Sequence, residues 1–277
     1  MLNQKKAAKY GLLEDILKDM ESAVVAFSGG VDSTFLLKAA SLVLKDKVMA
    51  VTARSPIRCR EELERAGRIA AGFGVRHMIL DFPGLEDKNL ANNSIERCYH
   101  CKKKLLTRLA EVAGEHGFNH VAEGSNADDD KSFRPGSKAI KELKVRSPLK
   151  EAGFSKNDIR TFSKEMGLET WDASPQSCLL TRFPYDEKVS ALDLERVGEA
   201  ERFLAGLGFR QVRVRVYGDL ARIEVPLQTI GAAADKGPSE KIIKKLKALG
   251  YKYITLDLEG YRTGSMDHGT EAKDRHG

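Results

Sequence analysis

Six consecutive residues, Ser28-Gly29-Gly30-Val31-Asp32-Ser33, stand between the apolar run Val24-Val25-Ala26-Phe27 and the apolar stretch from Phe35 to Leu44. Two glycines let the backbone turn successive N–H groups toward an anion, and the hydroxyls of Ser28 and Ser33 can donate as well. A helix starting near Ser33 adds the partial positive charge of its N-terminus. The expected chemistry is a phosphate cradle. It lacks the Gly-Lys-Ser/Thr ending of a Walker loop and is not a Gly-x-Gly-x-x-Gly pattern. The plainer alternative is a tight turn whose glycines are only steric.

The elements that must hold this loop follow from periodicity. Residues 1–20 read as an amphipathic helix, Val24–Phe27 as a buried strand and 35–44 as a helix. Strands at 48–51, 75–80 and 119–122 alternate with helices at 60–73, 102–116 and 156–166, the last opened by a capping box of Ser155 and Asp158. Such alternation predicts an α/β domain with a parallel sheet covered on both faces. Ligands bind outside the carboxyl ends of such strands. There lie Ser28–Ser33, Thr52–Ser55, Glu123–Asp128 and Asp172–Arg182, all polar. After Pro184 the pattern changes to a helix at 189–205, a hairpin at 211–216 and 221–225, a helix at 238–248 and a strand at 251–257. Period two puts Val212, Val214 and Val216 on one face and Arg213 and Arg215 on the other, while Arg222 and Glu224 share a face. The expected organisation is a large domain over 1–186, a smaller α+β domain over 187–266 and a disordered tail over 267–277.

The length of 277 residues, 42% of them hydrophobic, suits one large and one small domain and excludes a disordered chain. No apolar run reaches the ~18 residues of a membrane span, and the N-terminus carries no secretory pattern. A cytoplasmic location is expected, with no membrane partner. The net charge of +6 fits an anionic partner such as a nucleotide, phosphate or RNA without choosing among them.

Ser28–Ser33 resembles the loop of the PP-loop ATP pyrophosphatases, which split ATP between its α- and β-phosphates and adenylate a substrate. Further along come Arg97-Cys98-Tyr99-His100-Cys101-Lys102, Glu123–Asp129, Arg134-Pro135-Gly136, Ser177-Cys178–Tyr185 and Val212-Arg213-Val214-Arg215. In that order they are similar to the LarE sulfurtransferases, nearly to residue 266. The resemblance implies thiolation of pyridinium biscarboxylic acid mononucleotide, the precursor of the nickel-pincer cofactor. ATP with Mg²⁺ is implied at Ala26, Ser28, Gly29, Gly30, Asp32, Ser33, Thr52, Gly124 and Asp128, with Asp32 catalytic. Arg182, Arg213 and Arg215 are implied at the mononucleotide. Glu201 and Glu224 match acidic positions where a metal or intersubunit site has been proposed, but Ala232 stands where some members carry a carboxylate. Asp128, Asp129 and Asp130 could hold Mg²⁺ or form a hydrated loop.

Three of the four cysteines match the family. Cys98, Cys101 and Cys178 supply three soft thiolates, a set able to hold a [4Fe–4S] cluster with one iron open. That iron could pass a sulfide to an activated carboxylate. LarE-like proteins also include a type in which a cysteine matching Cys178 gives up its own sulfur and ends as dehydroalanine. Zinc with His100, or incidental thiols at Cys98 and Cys101, are the other readings, and Cys59 fits no ligand pattern.

The expected reaction is carboxylate adenylation with loss of pyrophosphate, then displacement of AMP by sulfur. Expected partners are ATP, a small-molecule mononucleotide, a sulfide or cysteine-derived sulfur source and a second copy of the chain; nucleic acid is not among them. Two rivals differ in class. A cluster-dependent tRNA thiolase would carry a broader basic surface, and a non-catalytic nucleotide-binding sulfur carrier would leave ATP unchanged.

Overall fold

A computed structural model describes residues 2–58, 60–82, 84–131, 135–173, 177–262 and 264–266. Cys59, Arg134 and the tail lie outside the described residues. In chain order the elements begin with α1 (Leu2–Met20), β1 (Ala23–Ala26), α2 (Val31–Leu44), β2 (Val48–Arg54), α3 (Arg60–Gly72) and β3 (Arg76–Asp81). Next come α4 (Lys88–Ala91), α5 (Arg97–Glu115), β4 (His120–Ala122), α6 (Gly136–Glu142), α7 (Pro148–Glu151) and α8 (Lys156–Glu165). The chain finishes with α9 (Ala191–Gly206), β5 (Arg213–Tyr217), β6 (Leu220–Glu224), α10 (Ile230–Ala234), α11 (Lys236–Ala248) and β7 (Tyr253–Leu256).

Two compact units result, one of residues 1–84 and 96–176, the other of 85–95 and 177–277. The second therefore takes in a short segment from well upstream, where the sequence suggested one break near 186. In the first unit four strands run parallel in the order β3-β2-β1-β4. Alternation along β1 and β2 sends side chains to opposite faces. Val25 and Ala50 join Leu13, Leu17, Phe35 and Phe154 in one apolar core beneath α1, α2 and α8. Val24, Met49 and Val51 join Leu106, Leu109 and Val112 of α5 in the other. With both faces covered, the polar loops at the strand ends are where the sheet can meet a ligand.

Helix α5 starts at Arg97, five residues earlier than the expected Lys102, so Cys98 and Cys101 are helical rather than in a loop. Three residues apart, they share one helix face. The capping box at α8 forms as expected: Ser155 Oγ accepts from Asp158 N at 3.1 Å, and Asp158 Oδ2 accepts from Ser155 N at 2.9 Å. A second box, Ser190 with Asp193, opens α9.

The second unit holds a three-stranded sheet of order β5-β6-β7, with β5 and β6 antiparallel and β6 and β7 parallel. Arg213 pairs with Glu224 and Arg215 with Arg222. Val212, Val214 and Val216 are buried as the period-two pattern requires. The opposite face is charged but not solvated there, since Arg215 is 4% exposed and Glu224 fully buried.

Candidate functional site

In the first unit the chain leaves β1 at Ala26 and turns at Gly29, whose φ of +69° is a left-handed conformation. A Cβ on Gly29 would lie 3.3 Å from the Ala66 Cα, so a side chain here would strain the backbone and require α3 to shift slightly. Gly30 caps α2 with no side-chain hydrogen bond. The first-turn N–H groups of Val31, Asp32 and Ser33 thus have no intrahelical acceptor and can serve an anion. The two serines brace the loop. Their hydroxyls are 3.0 Å apart, Ser33 Oγ donates to Gly30 O at 3.2 Å, and Gly30 N donates to Ser28 Oγ at 3.3 Å.

Glu123 and Gly124 extend from β4 against this loop. A Cβ on Gly124 would stand 3.1 Å from Ser33 N, so any side chain here would push the two backbones apart by a few tenths of an ångström. Glu123 is buried and anchors the approach. Its carboxylate accepts from Ser147 Oγ at 2.6 Å, Ser125 Oγ at 2.9 Å and Lys102 Nζ at 2.9 Å. Burial would raise its pKa, but the Lys102 charge and the hydroxyl donors outweigh that, and the carboxyl sits below its ordinary value.

Asp32 points back toward α8, where Lys156 Nζ is 2.5 Å from its Oδ2. Its Oδ1 is buried with no hydrogen-bond partner among the described residues. A hard carboxylate oxygen left open beside a phosphate-binding loop fits Mg²⁺. Asp128 serves α8, accepting from Lys156 N at 2.8 Å through Oδ2, and Asp129 accepts from Asn126 N at 3.1 Å. The Asp130 side chain lies outside the described residues.

Beside the loop opens a cleft of about 580 Å³ lined by Ser28, Thr52, Arg54, Ser55, Arg58 and Glu62. Thr52 Oγ1 is 2.8 Å from His77 Nε2, and burial holds the imidazole below its ordinary pKa. The structure therefore brings Ala26, Ser28, Gly29, Gly30, Asp32, Ser33, Thr52 and Gly124 around one strand-end site. Lys156, His77 and Glu123 were missed as site residues. Only their fold-mediated neighbours reveal them, although Glu123 stands within a family motif.

Cys98 lines a separate cavity of about 330 Å³ with Lys102, Ser125, Asp129 and Lys150. Cys98 is exposed, Cys101 and Cys178 are half-buried, and all three are thiols rather than disulfides. Among the described residues no group of three His, Cys, Asp or Glu stands assembled to hold a metal. The cysteines are thus one helix-borne pair in the first unit and Cys178 in the second.

In the second unit Cys178 opens the 3-10 turn Leu179–Arg182. Arg182 bonds Glu201 through two nitrogens, Nε at 2.7 Å and Nη2 at 2.9 Å. Arg215 Nε donates to Glu224 Oε2 at 3.0 Å, and Glu224 Oε1 also accepts from Arg222 at 3.1 Å and Ser265 Oγ at 2.7 Å. Arg213 lies over the Tyr261 ring with its guanidinium carbon 5.5 Å from the centroid. Burial first, then the neighbouring Arg182, pull its pKa below the ordinary arginine value. Arg182 and Arg215 are buried with Glu201 and Glu224 as counter-ions, and Arg213 is the partly exposed guanidinium of the cluster.

The QueC family, described as a queuosine biosynthesis protein, is matched over residues 22–104, which carry the loop and the Cys98–Cys101 pair. Pyridinium-3,5-bisthiocarboxylic acid mononucleotide synthase of Lactiplantibacillus plantarum is 39% identical over 264 residues, 94% of each chain. The chain belongs to the LarE family. As a LarE-family protein it is an ATP-dependent sulfurtransferase, and ATP with Mg²⁺ belongs to its PP-loop. An uncharacterized protein of Synechocystis is 40% identical over 255 residues, 92% of this chain and 95% of its own. The tRNA-specific 2-thiouridylase MnmA of Rickettsia conorii is 25% identical over 203 residues, 59% of this chain and 54% of its own. Among the described residues of the LarE-family chain, no helix is long and apolar enough to cross a membrane.

Proposed function

We propose that this chain thiolates pyridinium biscarboxylic acid mononucleotide on the route to a nickel-pincer nucleotide. The observation that carries the reading is the 39% identity to the mononucleotide synthase along 94% of both chains. The tRNA thiolase likeness covers 59% of this chain at 25%, which supports tRNA as substrate less well.

A substrate carboxylate oxygen attacks the α-phosphorus of ATP, the bond to the bridging oxygen breaks, and pyrophosphate leaves. The N–H groups of Val31, Asp32 and Ser33 and the two serine hydroxyls hold the departing phosphates. Asp32 would hold Mg²⁺, which neutralises charge building on the pyrophosphate. A sulfur nucleophile then attacks the acyl carbon, and AMP departs with the electron pair of the broken C–O bond. Arg213 binds an anionic group of the mononucleotide, and such orientation is worth several kcal/mol.

Two sulfur sources are compatible with the residues. The three thiols at Cys98, Cys101 and Cys178 have the donor chemistry for a [4Fe–4S] cluster, which would supply an iron-bound sulfide. Cys178 can instead donate its own sulfur and remain as dehydroalanine.

Protein incubated with ATP and the mononucleotide should release pyrophosphate and AMP in equal amounts with thiocarboxylate. Absence of pyrophosphate overturns the reading. Iron and acid-labile sulfide on anaerobic protein, with Cys98→Ala in parallel, separate the sources. Iron lost in the variant supports the cluster, whereas no iron and a loss of one H₂S from Cys178 after turnover support sacrifice.

A further inference from the structure

Arg182 ends the turn that Cys178 begins, and its side chain folds back across that turn with 3% of its surface exposed. Besides its two bonds to Glu201, its Nη1 donates to Ser177 Oγ at 2.6 Å, Thr181 Oγ1 at 2.7 Å and Cys178 O at 3.2 Å. Thr181 Oγ1 itself donates to Cys178 O at 2.7 Å. Glu201 is tied to the sheet, since its Oε1 accepts from Val214 N at 2.9 Å. A second buried guanidinium grips the same turn from the other side, with Arg215 Nη1 donating to Thr181 O at 2.9 Å.

Stability alone explains this poorly. Burying such ions carries a large desolvation cost, and apolar residues of similar volume are often as stabilising. What the planar guanidinium adds is direction, because its fork fixes a carboxylate on one edge and several acceptors on the other. The acceptors of Nη1 named above belong to residues 177–181, around a half-buried thiol.

We propose that the Arg182–Glu201 pair positions Cys178: Glu201 orients Arg182, and Arg182 fixes the backbone from which the thiol projects. Arg182 then acts through the turn rather than on the substrate phosphate, and Glu201 is a positioning residue rather than a metal ligand. The inference rests on Cys178 taking part in sulfur transfer, as proposed above.

The test compares wild type, Glu201→Gln, Thr181→Val and Cys178→Ser as full-length protein. Thr181→Val removes the hydroxyl between Arg182 and Cys178 O without stranding a buried charge, so it remains informative should Glu201→Gln not fold. The readouts are thiocarboxylate formed per pyrophosphate released, KM for the mononucleotide, and the native alkylation rate of Cys178 located by peptide mass. Positioning predicts a fall of about tenfold or more in thiocarboxylate per pyrophosphate, KM within about twofold, and a severalfold change in alkylation. Wild-type transfer and alkylation in the folded variants overturn it, as does a loss of activity that only tracks the unfolded fraction. Full activity of Cys178→Ser sinks the underlying reading instead, which keeps the two failures apart.

Discussion

Lys156 Nζ stands 2.5 Å from Asp32 Oδ2, joining the first turn of α8 to the phosphate loop across 124 residues of sequence. The lysine places a positive charge where pyrophosphate must gather negative charge as it leaves. Lys156→Met should therefore slow pyrophosphate release by on the order of tenfold, with Lys156→Arg keeping most of the rate. Rapid-quench measurement of pyrophosphate at saturating Mg-ATP checks this. Release within twofold of wild type in Lys156→Met would confine the lysine to pairing with Asp32.

Gly124→Ala puts a methyl group 3.1 Å from Ser33 N and 3.3 Å from the Asp32 carbonyl carbon, both of them backbone atoms. Neither can yield without moving the cradle. The variant should lose about 1–3 kcal/mol of stability and bind ATP more weakly. Calorimetric titration with a non-hydrolysable analogue, beside a thermal melt, reads both. Wild-type affinity would mean that the β4 loop can retreat without cost.

Acid should uncouple Glu123 from Lys102. The folded carboxyl lies below its ordinary value, so its contribution is complete above the unfolded pKa of about 4.3 and is lost as pH falls through the folded pKa. Lys102→Met leaves a buried carboxylate without its cation, costing about 2 kcal/mol at neutral pH, a figure discounted because Lys102 is part-exposed. In the variant burial dominates and the carboxyl rises, so the deficit narrows on acidification. Urea midpoints at pH 7 and pH 4 test the sign, and a deficit that widens toward pH 4 contradicts it.

Arg213 should mark the mononucleotide. A ligand at 100 times its Kd raises stability by about 2.7 kcal/mol. A thermal shift produced by a pyridine mononucleotide should therefore largely vanish in Arg213→Ala, while the shift produced by Mg-ATP persists. Equal mononucleotide shifts in both proteins would place that ligand elsewhere.

Much of this arrangement was legible because it is local. The loop 28–33, the Ser155–Asp158 cap and the alternation of Val212, Val214 and Val216 each lie within a few residues, where period and turn chemistry decide the structure. The start of α5 was hidden. Cys98, Tyr99, His100 and Cys101 are middling helix formers, and only the strong formers after Lys102 announced the helix. Pairs such as Lys156 with Asp32, or Arg182 with Glu201, are set by chain reversals that no short window records. The burial of Arg215 was hidden for the same reason, because strand alternation says which face a residue takes but not what covers that face.

Residues 85–95 give the chain a timing problem. Asn93 donates to Phe183 O, 90 residues later, at 3.1 Å and to Pro184 O at 2.7 Å, while Val189 N bonds Ala91 O at 2.7 Å. At about 5–20 residues per second, the ribosome needs roughly 5–20 s to supply those partners once Asn93 is made. Through that interval Leu90, fully buried in the finished protein, has no second unit to enter. The nascent chain is then most exposed to a chaperone or protease at this segment, and slower translation beyond it lengthens the wait.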